Sequence, residues 1–95
     1  MVFDLSEITG LGPYETKSES LRQLFLKDHK AFLVVNKNTI EVRCDSHLSE
    51  NLKEKYESVM ESRYFGRGGI EIVLSSQLSQ QELEDLVRLS YNMTN

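Results

Sequence analysis

The sequence predicts one domain over residues 1–95, a two-layer α+β fold with a five-stranded antiparallel sheet and two helices on one face. Three observations carry this. Residues 40–45, Ile-Glu-Val-Arg-Cys-Asp, alternate apolar and charged side chains, the period of a half-buried strand. Residues 46–61 and 79–92 each carry apolar side chains at three- and four-residue spacing, the stripe of an amphipathic helix. The elements come as three strands, a helix, two strands and a helix, not as the strand–helix alternation of a parallel sheet.

Phe3, Leu5 and Ile8 suggest a short helical face or a loose arm, ended by Gly10, Gly12 and Pro13. Residues 16–20 are polar and read as a loop or an exposed strand. Residues 23–27 alternate about Leu24 and Leu26, and residues 27–30 make a plausible turn. Residues 31–35 are apolar throughout, so they predict a central strand buried at least partly on both faces. Asn36, Lys37 and Asn38 suit a tight turn, since Asn tolerates positive φ. Asp45 is the natural N-cap of the first helix, with Ser49 a rival, and Leu48, Leu52, Tyr56, Val59 and Met60 form its stripe. Residues 63–65 then read as a short strand, residues 66–69 as a glycine turn and residues 70–74 as the return strand. Ser79 and Glu82 have the spacing of a capping box, with Leu78 and Leu83 placed for a hydrophobic staple. Phe32, Val34, Ile40, Val42, Leu52, Tyr56, Ile72, Leu74, Leu83, Leu86 and Val87 are the expected core.

The net charge of −4 disfavours nonspecific nucleic-acid binding as the dominant property, because affinity for phosphate needs a positive surface. The basic residues nevertheless gather at expected turns, while acids gather on both helices. The single cysteine excludes an internal disulfide. The first residues lack the basic start and apolar run of a signal peptide, and no apolar run is long enough to span a bilayer, so the expectation is a cytoplasmic protein with no membrane partner.

Several pieces, in order, resemble the MmcQ/YjbR family of small bacterial proteins. They are Phe25-Leu26-Lys27 followed by Lys30-Ala31-Phe32, the strand Ile40 to Asp45, and Leu52 to Tyr56 with Val59. Tyr64 at the second hairpin and Leu78 to Tyr91, with the Ser90-Tyr91 pair, complete the set. The resemblance implies an αβββαββα fold shared with type III secretion chaperones, no established enzymatic activity, and a suggested double-wing DNA-binding role. Two departures stand out. The family's opening helix is short or absent here, and its usual Trp in the second hairpin has no counterpart, since the chain has no Trp.

No catalytic constellation, metal site or cofactor loop stands out. Cys44 and His47 have C-x-x-H spacing without a second pair, whereas structural zinc takes four ligands. Cys44 reads as a buried, inert thiol. The glycine turn could cradle an anion, with Arg67 as a bidentate phosphate ligand, or could be a hairpin that needs positive φ. The expected ligand contacts are therefore Lys30, Lys37, Arg63, Tyr64 and Arg67, with Tyr64 available to stack on a base. Two functions remain open. One is a non-enzymatic binder of nucleic acid or another polyanion through basic turns. The other is a protein-interaction or chaperone-like dimeric domain using the uncovered sheet face.

Overall fold

The computed structural model describes residues 8–75 and 77–94. In chain order the elements are β1 (Glu15–Glu19), β2 (Arg22–Lys27), β3 (Lys30–Val35), β4 (Thr39–Arg43), α1 (Ser46–Lys55), β5 (Val59–Ser62), β6 (Gly66–Val73) and α2 (Gln80–Met93). The fold is α+β, and its open sheet runs β1-β2-β3-β4-β6-β5 with every pair antiparallel. The sheet has six strands, one more than expected. The extra one, β1, is the polar stretch left open between loop and strand. It lies at an edge with exposed side chains, so no core face imposes alternation on it. Phe3 and Leu5 of the expected N-terminal face lie outside the described residues. Ile8 from that face reaches the core.

The turn between β2 and β3 holds Asp28 and His29 at φ 50° and 69°, the left-handed pair that closes a twisted hairpin. The turn between β3 and β4 works differently from expectation, since neither asparagine has positive φ. Asn36 acts through its amides instead. Its N–H donates to the Thr39 carbonyl at 2.9 Å and its Nδ2 donates to Thr39 Oγ1 at 2.9 Å.

Both helix starts match the sequence reading. Asp45 caps α1 by accepting from the Leu48 N–H at 3.0 Å. Ser79 accepts from the Glu82 N–H at 3.1 Å while Glu82 accepts from the Ser79 N–H at 2.9 Å, closing the capping box. The end of α1 does not match. The helix stops at Lys55, Tyr56 is extended, and residues 59–62 form β5. Val59 and Met60 continue the helical spacing by coincidence. The β-branched Val59 instead pairs with Ile72 and is buried. This moves the second hairpin. Residues 63–65 are the connection, and all four glycine-segment residues lie inside β6. Gly66 enters β6 at φ +62°, and Gly69 pairs with Arg43. A Cβ on Gly69 would sit 2.5 Å from the Val42 carbonyl oxygen and 2.7 Å from Phe65 Cβ, so close packing requires the glycine.

One core lies between the sheet and both helices, built from Ile40, Val42, Ile70 and Ile72 of the sheet and Leu83, Val87 and Tyr91 of α2, with Leu48 and Leu52 of α1 against it. Seven of the expected core residues, including Phe32 and Val87, are buried, while Leu52, Tyr56, Leu74 and Leu86 sit at its rim. Leu33 joins unexpectedly because of a bulge. Phe25 opposes Leu33 and Leu26 opposes Ala31, so Phe32 is an extra residue. Phe32 and Leu33 therefore share one core cluster, while Val34 pairs with Leu24 across the sheet and neither belongs to it. Ser90 compensates the break in the ladder. Its hydroxyl donates to the Phe32 carbonyl at 2.6 Å and accepts from the Arg43 N–H at 2.8 Å.

Candidate functional site

The helix-free face carries the polar chemistry. Lys17, Leu24, Val34, Glu41, Glu71 and Met60 form one row across it through successive strand pairings. The sequence period sends Glu41 and Glu71 to water, yet each is only 2% exposed. The reason is the connection between β5 and β6, which folds back over the sheet and supplies hydrogen bonds in place of solvent. Ser62 Oγ and the Tyr64 N–H donate to Glu41 Oε1 at 2.7 and 2.9 Å, and Asn36 Nδ2 donates to Oε2 at 2.9 Å. Arg63 makes a two-point bond to Glu71, Nε to Oε1 at 2.9 Å and Nη2 to Oε2 at 2.7 Å, and Thr39 Oγ1 donates to Oε2 at 2.8 Å. The Arg63 side chain is itself 76% exposed, so it forms a wet lid on a dry carboxylate.

These contacts set the ionisation. Burial alone would raise the Glu41 pKa. The hydrogen bonds from Asn36, the Tyr64 N–H and Ser62, helped by the Arg63 charge, outweigh it and hold the carboxyl below its ordinary value. The hydrogen bond and charge of Glu71 raise the pKa of Arg63. Aromatic contacts fasten the rest of the connection. The Arg22 guanidinium lies 5.0 Å over the Tyr64 ring, that ring meets Phe65 edge-on at 4.9 Å, and Arg43 lies 5.0 Å over Phe65.

Beside this clasp is a groove of about 590 Å³. Residues 19–22, around the β1–β2 turn, form one wall, Asn36 and Lys37 form the other, and Glu41 and Arg63 complete the lining. The antiparallel order puts the β1–β2 and β3–β4 turns at the same end of the sheet. Leu21 at the first turn is 88% exposed. Arg22 is paired with Glu19 at 2.7 Å, while among the described residues Lys37 has no ion-pair partner.

Of the five expected contact residues, Lys37 and Arg63 line this groove, and Tyr64 lies under Arg22 at its side. Lys30 and Arg67 are elsewhere. Lys30 follows the β2–β3 turn at the opposite end of the sheet. Arg67 lines a separate hollow of about 320 Å³ with Ser46, Ser49, Glu50, Lys53 and Glu61. The glycine segment makes no anion-binding turn, because it is strand. Gly68 accepts from the Cys44 N–H at 2.9 Å and Gly69 is packed against Phe65. Cys44 is buried as expected, and burial, with the nearby Asp45 charge, pushes its pKa up to about 11. No group of three or more His, Cys, Asp or Glu side chains is placed to hold a metal ion among the described residues. Likewise, no helix among them is long and apolar enough to cross a membrane.

Leu21, Arg22, Asn36, Glu41 and Glu71 escaped the sequence reading. Leu21 alone left a signal, an apolar residue in a turn, where Gly, Asn and Asp are the usual choices. No family model, curated protein or solved structure matches the chain.

Proposed function

We propose that this domain is a non-enzymatic protein-interaction module that docks a partner polypeptide in the groove between its two hairpin turns. The observation that carries this reading is Leu21, a large apolar side chain almost wholly in solvent at the groove's edge. It serves no backbone need, since Leu21 has no positive φ. Arg22, Lys37 and Arg63 surround it with Glu19 and the buried Glu41. An apolar anchor ringed by charges of both signs suits a polypeptide surface. The partner segment would present an apolar side chain to Leu21 and a carboxylate to Lys37.

A photo-crosslinking amino acid in place of Leu21 tests the proposal in extract of the protein's own cells. A discrete protein adduct that disappears with Lys37→Glu is expected. Adducts equal to those from the same probe at Glu54, on the outside of α1, would remove it.

A second reading rests on Lys37 and Arg63 meeting in one groove. The ligand would then be a polyanion such as nucleic acid, with Tyr64 beside it. Fluorescence anisotropy with random duplex and single-stranded DNA at two salt concentrations separates the two, since phosphate contacts weaken steeply with salt. Membership of the MmcQ/YjbR family belongs to the same proposal. It is supported by the order from β2 onward, three strands, a helix, two strands and a helix. In this reading β1 stands where that family opens with a helix.

A further inference from the structure

The sheet has an unpaired side along β1, the first strand in its order. The two-residue turn at Ser20 and Leu21 is closed by the pair Glu19 and Arg22. The closing pair of such a hairpin exchanges both of its backbone hydrogen bonds. Glu15, Lys17 and Glu19 therefore direct their backbone groups to β2, and Thr16 and Ser18 direct theirs outward. Edge strands are commonly blocked by a bulge, a proline or a cover. β1 contains no proline, stays in continuous register with β2, and has exposed side chains at residues 15–18.

Its charges then decide what can pair with it. Glu15, Lys17 and Glu19 share one face of the strand, in the order acid, base, acid. A second copy could add antiparallel about a two-fold axis at Lys17, Thr16 or Ser18 and still use the outward groups. At Lys17, every facing pair has like charge, lysine against lysine and Glu15 against Glu19. At Thr16, Lys17 meets Glu15 of the partner subunit, but Glu19 faces Pro13 beyond the end of β1. At Ser18, Lys17 of each copy meets the partner's Glu19, and Glu15 faces Leu21 in the turn beyond the other end of β1, so these two registers alike set opposite charges together with no like pair. We propose that two copies of this chain associate in one of these two registers, joining their sheets edge to edge through β1.

This pairing is isologous and closes on itself, because β1 is used up in both copies. The other edge, β5, has a different sequence and packs against α1. The charges therefore exclude the Lys17 register and favour a finite dimer. The interface is one short strand with exposed ion pairs, so the association is concentration-dependent.

Light scattering of the purified full chain, from micromolar to millimolar concentration, tests this. The protein is expected to pass from monomer to dimer. Lys17→Glu should weaken association about tenfold, and so should whichever of Glu15→Lys and Glu19→Lys changes the residue that faces it, two opposed pairs having become like pairs. An equimolar mixture of Lys17→Glu with that second variant should associate again, since each of these charges then faces its opposite, and the double variant should recover the wild-type dimer. Ser18→Pro should abolish association without altering any charge, because it removes an outward N–H. Circular dichroism confirms that each variant is folded, which matters most for Glu19→Lys, because it also loses the contact with Arg22. A wild type monomeric at every concentration overturns the proposal. So does a dimer indifferent to Lys17→Glu, or charge variants that neither mixing nor combination restores. The groove proposal above survives those results.

Discussion

Glu41 and Glu71 face each other on neighbouring strands, both out of water, and stay compatible because different partners satisfy them. Glu41 takes neutral donors and Glu71 takes a guanidinium. Arg63→Ala strips Glu71 of two charge-assisted bonds. It should cost about 1.5–3 kcal/mol in urea unfolding. Arg67→Ala, an exposed arginine with no ion-pair partner among the described residues, should stay within about 0.5 kcal/mol. A second expectation concerns acid. Because the folded Glu41 carboxyl titrates below its ordinary 4.5, its stabilising contribution is complete above that value. The contribution is lost as pH falls through the lower, folded one. Stability measured from pH 6 downward should fall less steeply in Glu41→Gln than in wild type. At this scale the sequence was least legible. Glu41 and Glu71 alternate with apolar neighbours as solvent-facing residues do, and only the fold-back of a connection distant in sequence from Glu41 dries them.

Among the elements, those whose evidence is local were legible. Asp45, and Ser79 with Glu82, each announce a helix start within four residues, and both caps form as read. The end of α1 was not legible, because Val59 and Met60 satisfy a helical period and a strand equally well until Ile72 supplies a partner. The bulge at Phe32 left no local mark either. Its counterpart is the Ser90 hydroxyl. It occupies one donor and one acceptor of the interrupted ladder, 58 residues away at Phe32 and 47 away at Arg43. Ser90→Ala keeps the shape and leaves both groups without that partner. It should cost about 1–3 kcal/mol in chemical denaturation, more than Ser75→Ala at an exposed bend, which should be near neutral. Equal effects would mean that water replaces the hydroxyl.

For the whole molecule, the layer arrangement followed from the order of elements, and the strand count failed only at the edge. The candidate site was half legible. Lys37 and Arg63 share a groove, but Lys30 and Arg67 are placed elsewhere by the reach of the strands between them. A chain of this length has a net stability on the order of 5–14 kcal/mol. Phe32 is fully buried and meets Tyr91 edge-on at 4.9 Å. Phe32→Ala should therefore remove about 3–5 kcal/mol, a large share of that total, readable as a lower urea midpoint with an unchanged slope.

The strand order also bears on how the chain reaches this state. β1 to β4 are neighbours in space in the order they leave the chain, and β5 and β6 form a second hairpin. Only β4 with β6 must find a partner across an intervening helix and strand. Local pairings close small loops and cost little chain entropy, so the two sheet fragments can assemble early and separately. Their union along β4 and β6 is then the slow event, and α2 locks it, since Leu83, Val87 and Tyr91 share one core with Ile40 and Val42 of β4 and Ile70 and Ile72 of β6. In stopped-flow mixing, Ile70→Val at the β4–β6 seam should slow refolding, whereas Val87→Ala in α2 should mainly hasten unfolding.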